Sequence, residues 1–218
     1  MKTTIRAAAL LLIASVCFGQ TMRPVLIGID VAKPLLSLVT PNRPAFRLGE
    51  MTIKLPVSRE RYLSLVGGYG QLHTNFIYRN VLMNLRGGYV KAGTEKFQRG
   101  GLLVGWHGLA AITHESASYS FQGPTFGDYM VTAFNRRRVA VGVEGILGYQ
   151  QTMSNRLLMR VAGRATLAGL LGPRPDNMDV VFVPGVGLAA GDPAVYSLGL
   201  GVFLFYRTNP RPVAGSAE

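Results

Sequence analysis

The chain has 218 residues and a formal charge of +12, from 23 Lys+Arg against 11 Asp+Glu. Only 16% of residues are charged and 48% are hydrophobic, which excludes intrinsic disorder, since disordered chains combine low hydrophobicity with high charge. Glycine stands at 27, about 12% against a usual share of roughly 7%, and with the Tyr and Phe content this points to β structure.

Met1 to Gln20 reads as a secretory signal. Lys2 and Arg6 form a positive n-region, Ala7–Val16 an apolar h-region, and Cys17-Phe18-Gly19 offers small residues at the −3 and −1 positions of a cleavage site. A transmembrane anchor needs about 20 apolar residues, and this run ends well short of that. Acylation of Cys17 competes with cleavage after Gly19, but bulky Val16 precedes the cysteine and Ala14 stands where leucine is usual. Cleavage removes the only cysteine, so the mature chain has no disulfide, thiol nucleophile or Cys-based metal site. The expected division is a signal peptide over 1–19, a barrel over 20–207 and a flexible tail over 208–218.

After Gln20 no apolar run reaches helix-spanning length, and alternation takes over. Val25–Ala32 sets Val25, Ile27, Ile29 and Val31 against Asp30. Arg47–Leu55 sets Met51, Ile53 and Leu55 against Glu50, Thr52 and Lys54. Arg61–Leu72 is apolar on both faces and ambiguous in phase. Arg86–Phe97 sets Val90, Ala92 and Thr94 against Lys91 and Glu95. Leu102–Ser116 places Leu102, Val104, Trp106, Ala110 and Ile112 opposite His107 and Thr113.

The pattern continues to the end of the chain. Val139–Gln151 places Val139, Val141, Val143, Leu147 and Tyr149 opposite Glu144 and Gln150. The turn Thr152–Asn155 leads into Arg156–Leu167, with Arg160, Arg164 and Thr166 opposite Leu157, Met159 and Val161. Val195–Arg207 alternates over more than ten residues, with tyrosines near both ends of its apolar face. Strands of soluble proteins average about 5–6 residues, whereas a membrane-crossing strand needs about 9–11 and an aromatic girdle at each interface. The pattern predicts an all-β, antiparallel up-and-down transmembrane β-barrel of eight strands, with a soluble lipocalin-like barrel or sandwich, apolar face inward, as the alternative. Connections read as short at Pro56–Glu60, Lys96–Gly101 and Thr152–Asn155. They read as long at Lys33–Pro44, His73–Asn84, Ala117–Arg138 and Ala168–Ala194, the alternation that outer-membrane barrels keep.

Glu50, Lys54, Lys91, Glu95, Glu144, Arg160 and Arg164 fall on the inward phase. In a narrow lumen such charges must pair, because a lone buried ion costs several kcal/mol. Glu144 is expected to pair with Arg160 or Arg164 across neighbouring strands and close the pore. An open path for ions is the alternative reading. In the loop read over Ala117–Arg138, Tyr119, Phe121, Phe126 and Tyr129 with Arg136, Arg137 and Arg138 give an aromatic and basic surface of the kind enriched at protein interfaces. The three histidines lack metal-ligand spacing. The surplus positive charge suits anionic lipid headgroups or lipopolysaccharide, since no Lys/Arg block exceeds Arg136–Arg138 and an exported chain rarely meets nucleic acid.

On the opening strand Gly28-Ile29-Asp30, the segment Phe182-Val183-Pro184-Gly185 and the closing strand Tyr196–Tyr206, the chain resembles the small outer-membrane β-barrel proteins of Gram-negative bacteria. The resemblance covers Arg23 to Arg207 and implies an outer-membrane location. Such barrels end on an aromatic strand residue; here Tyr206 occupies that place, and the chain continues to Glu218. His114-Glu115-Ser116 resembles the His-x-Ser pair of outer-membrane lipid A deacylases, in which histidine activates serine against an acyl ester. The expected function is non-enzymatic and cofactor-free: a structural or partner-binding barrel, with another envelope protein as partner. A narrow channel and a lipid A-modifying hydrolase are the alternatives.

Overall fold

The computed structural model of the chain describes residues 24–32, 45–58, 60–76, 81–98, 100–121, 127, 129–171, 180–190 and 194–208. The signal segment 1–19, the tail beyond Thr208, the segment 33–44 and Phe126 lie outside the described residues. Among the described residues ten strands follow one another: β1 (Leu26–Asp30), β2 (Ala45–Pro56), β3 (Arg61–Phe76), β4 (Val81–Phe97), β5 (Leu102–Phe121), β6 (Tyr129–Thr152), β7 (Leu157–Leu171), β8 (Val180–Val183), β9 (Gly187–Ala190) and β10 (Ala194–Arg207). Eight of them close an antiparallel barrel in the order β1-β10-β7-β6-β5-β4-β3-β2, and β8 with β9 forms a separate hairpin. Among the described residues no helix is long and apolar enough to cross a membrane.

Closure removes both sheet edges, and the period of two then decides which side chains enter the lumen. Asp30, Glu50, Lys54, Lys91, Glu95 and Glu144 are buried, while Ile29, Met51, Val90, Trp106, Val143 and Leu147 are exposed on the outer wall. The phase of β3, ambiguous in sequence, is settled: Tyr62, Ser64, Val66 and Leu72 share the inward phase, with Leu65 and Tyr69 outside.

The barrel has two unlike ends. At the turn end, 57–60, 98–101 and 153–156 join successive strands. Ser58 and Ser154 take the same place in their turns: the backbone amides of Val57 and Ser58 both donate to the Arg61 carbonyl, and those of Met153 and Ser154 both donate to the Leu157 carbonyl. The loop end departs from the sequence reading. β3 and β4 run on until only 77–80 separates them, so most of His73–Asn84 is strand. β5 and β6 likewise consume most of Ala117–Arg138, leaving 122–128. The reason is chemical: above the apolar band a strand needs no apolar face, so its polar extension carries no period-two hydrophobic signal and reads as loop.

The segment read as the last long loop, Ala168–Ala194, is also different. β7 continues to Leu171, and β8–β9 folds into the barrel mouth. Phe182 and Val183 are fully buried there, packed with Leu72, Leu85 and Leu48.

Candidate functional site

In the lumen, charged side chains from β2, β4, β6 and β7 converge. Glu50 on β2 accepts two bonds from the Arg164 guanidinium of β7, at 3.0 and 2.5 Å, and one from the Tyr89 hydroxyl of β4, at 2.6 Å. Lys91 of β4 is ion-paired with Glu144 of β6, which also accepts from the Thr166 hydroxyl at 3.0 Å. Glu95 of β4 is held by Lys54 of β2 and by Arg160 of β7, the latter at 2.8 Å. His107 of β5 joins the last two groups, its ring nitrogens 3.5 Å from Glu95 and 3.4 Å from Glu144.

Aromatic faces also flank these cations. The guanidinium of Arg160 and the ammonium of Lys54 each lie 4.7 Å from the ring centre of Phe205, and Arg164 lies 4.4 Å from that of Phe203. A cation over a ring face is attracted by the ring quadrupole, more strongly where water is excluded.

The seven lumen charges named from sequence are therefore gathered inside, but their partners differ. Glu144 pairs with Lys91 and His107, and neither Arg160 nor Arg164 is its partner. Register supplies the reason. The residue facing Glu144 on β7 is Thr166, while Arg160 faces Gln150, to which it donates at 2.8 Å. The Lys–Glu and Arg–Glu pairs among these seven skip at least one strand: β2 to β4, β4 to β6, β7 to β2 and β7 to β4. In a lumen this narrow, long side chains meet across the bore rather than along the wall.

His107 and Tyr89 complete the network and were not singled out as lumen charges. His107 carried its signal in its inward phase opposite Trp106. Tyr89 had none, since a tyrosine flanked by Gly88 and Val90 reads equally as girdle or core.

Above the charges sits the β8–β9 hairpin. The Phe182 carbonyl accepts from the Thr113 hydroxyl at 2.9 Å, and the Gly185 carbonyl accepts from Lys91 at 3.4 Å. Gly185 has φ +77°, a conformation that favours glycine, and a Cβ there would strike the Tyr89 ring. Pro184 rests over Gly87, where a Cβ would again collide with it. Plug and charge network are thus in direct contact.

The surface proposed from sequence is largely redistributed. Tyr129 opens β6 and is exposed, and Arg136, Arg137 and Arg138 lie within that strand, not in a loop. Arg136 and Arg138 take the inward phase and both bond Glu115, at 2.9 and 3.0 Å, whereas Arg137 points outward. Their strand phase was hidden because three arginines in a row show no alternation. Tyr119 and Phe121 belong to β5 by backbone; their side chains lie outside the described residues.

His114 and Ser116 share the outward phase of β5, and the Ser116 hydroxyl donates to the Asn84 carbonyl at 3.4 Å. Glu115 is turned to the lumen and held by the two arginines. Among the described residues no group of three His, Cys, Asp or Glu side chains could hold a metal ion. The chain matches no family model, and no curated protein sequence matches it.

Proposed function

We propose that this chain is an outer-membrane β-barrel of Gram-negative type, exported through a cleaved signal, which acts without catalysis as a structural or partner-binding unit through its loop end. One observation carries the reading: the charges are inside and the bulk is outside. Tyr196, Leu198 and Leu200 are 80%, 86% and 77% exposed, while Lys54 and Glu144 are buried. In water that arrangement would expose a large apolar belt; in a bilayer that cost disappears, because the belt meets hydrocarbon, while the buried charges satisfy one another inside.

A conducting role gains no support from a lumen crossed by ion pairs and capped by Phe182 and Pro184. The hydrolase alternative loses its acid, since Glu115 faces away from His114 and is engaged by Arg136 and Arg138. Trp106, the single tryptophan, offers the test, because it stands 63% exposed on the outer wall of β5. With the full chain refolded into vesicles, lipids brominated on their acyl chains should quench its fluorescence strongly. Fluorescence unchanged by those lipids, or recovery of the tagged protein in the soluble periplasmic fraction, would overturn the reading.

A further inference from the structure

The outer wall carries a basic row that the lumen network does not use. Arg86 on β4 faces His114 on β5, and His114 faces Arg137 on β6, all three on the outward phase near the loop end. Direct cross-strand neighbours stand about 5 Å apart, so the three side chains share one patch. The described acids offer them nothing: Asp30, Glu50, Glu95, Glu115 and Glu144 are buried in the barrel, and Glu60 lies in the turn at the opposite end.

Directly below this row, toward the turn end, the wall turns apolar. Two residues along each strand come Gly88, Ile112 and Val139, with Tyr69 beside Gly88 on β3. These residues and the basic row line one groove of about 830 Å³ that continues over Val90 and Ala110. Gly88 forms its notch: a Cβ there would meet nothing nearer than the Gly68 carbonyl oxygen, at 3.7 Å.

Cations above an apolar trough are complementary to one kind of molecule, an amphiphile with a negative head and a hydrocarbon chain. We infer that Arg86, His114 and Arg137 bind the phosphate headgroup of an anionic lipid, whose acyl chain lies in the groove over Gly88, Val90 and Ala110. Arginine grips phosphate through paired N–H donors, and the imidazole supplies an N–H in either protonation state. The inference rests on the membrane reading above and adds a defined ligand site to it.

The full-length barrel in neutral detergent is mixed with phosphatidylglycerol or phosphatidylcholine of the same chain length, and bound lipid is counted by native mass spectrometry. Wild type should retain phosphatidylglycerol at least tenfold better. Each arginine contributes roughly fivefold, so Arg86→Gln with His114→Gln and Arg137→Gln should bring the preference near unity. Lys96→Gln, at the other end of β4, should leave it unchanged. Gly88→Leu fills the notch without touching the lumen and should weaken both lipids alike.

Excess inorganic phosphate should not displace the lipid; displacement would make this a free-phosphate site and overturn the assignment. An unchanged preference in the triple variant, with Trp106 still quenched in vesicles, overturns the lipid site and leaves the membrane reading standing. Loss of Trp106 quenching in wild type overturns both. Triple-variant folding is checked by that same quenching, and Arg86→Lys with Arg137→Lys should keep most of the preference.

Discussion

Tyr89 on β4 lies across Gly68, its direct partner on β3, so closely that a Cβ on Gly68 would overlap the phenol ring. The missing side chain lets the ring lean over β3, and the hydroxyl then reaches Glu50 on β2 at 2.6 Å. A glycine in one strand thereby places a hydrogen bond two strands away. Gly68→Ala should displace the ring and break that bond, destabilising the barrel by about 1–3 kcal/mol, as overpacking does. Denaturant unfolding of the refolded protein measures this. Gly88→Ala, where the nearest atom is 3.7 Å away, is the control and should change little.

Lys91 and Glu144 provide a second test, since each is buried and each has the other as its ion-pair partner. Removing one partner of such a pair strands the other charge and costs about 3–5 kcal/mol, whereas replacing both with apolar residues is far milder. Lys91→Met alone and Glu144→Met alone should therefore each destabilise more than Lys91→Met with Glu144→Met. The comparison is made in the same unfolding assay, and strict additivity would show that the pair is not coupled.

Two closures in series predict electrical silence. The wild-type protein should show no steady conductance in a planar bilayer. Replacing 180–190 with a short Gly-Ser link should leave it silent, because the pairs Glu50–Arg164, Lys91–Glu144 and Lys54–Glu95 still cross the bore below. A steady open current from the link variant would mean that the hairpin alone seals the lumen.

Near the mouth, Glu115 holds β6 through Arg136 and Arg138, which face the lumen on either side of outward Arg137. Glu115→Gln keeps the shape and removes the charge. Hydrogen bonds to charged groups are worth about 1.5–3 kcal/mol, so this variant should loosen β5 and β6 at the loop end first. Faster amide exchange around Arg136–Arg138, with little change at Glu144, is the expected pattern.

Much of this molecule can be read without coordinates, and the boundary of that reading follows the apolar band. Where Ile29, Val90, Trp106, Val143 and Leu198 alternate with inward residues, strand, phase and lumen charges are all legible, because burial and the pleat impose the same period. At Ser118 or Arg137 the outer face is polar, the period vanishes, and strand passes for loop. The β8–β9 hairpin escapes for a different reason. Its four-residue strands, Val180–Val183 and Gly187–Ala190, are too short to show alternation, and their burial depends on the barrel around them. Partner choice in the lumen escapes for a third: it is set by the width of the bore, which no single strand encodes.

The ladders around the circumference are unequal. β5 and β6 are joined over 20 residues of β5, whereas β1 offers five residues to β10 and four to β2. Cohesion of the cylinder is therefore anisotropic. Strain applied anywhere is shared through the long ladders and concentrates at the narrow stave that joins the two ends of the polypeptide. Phe205 crossing over Gly28 stiffens that stave by packing where hydrogen bonds are few. Any lateral parting of the wall begins there.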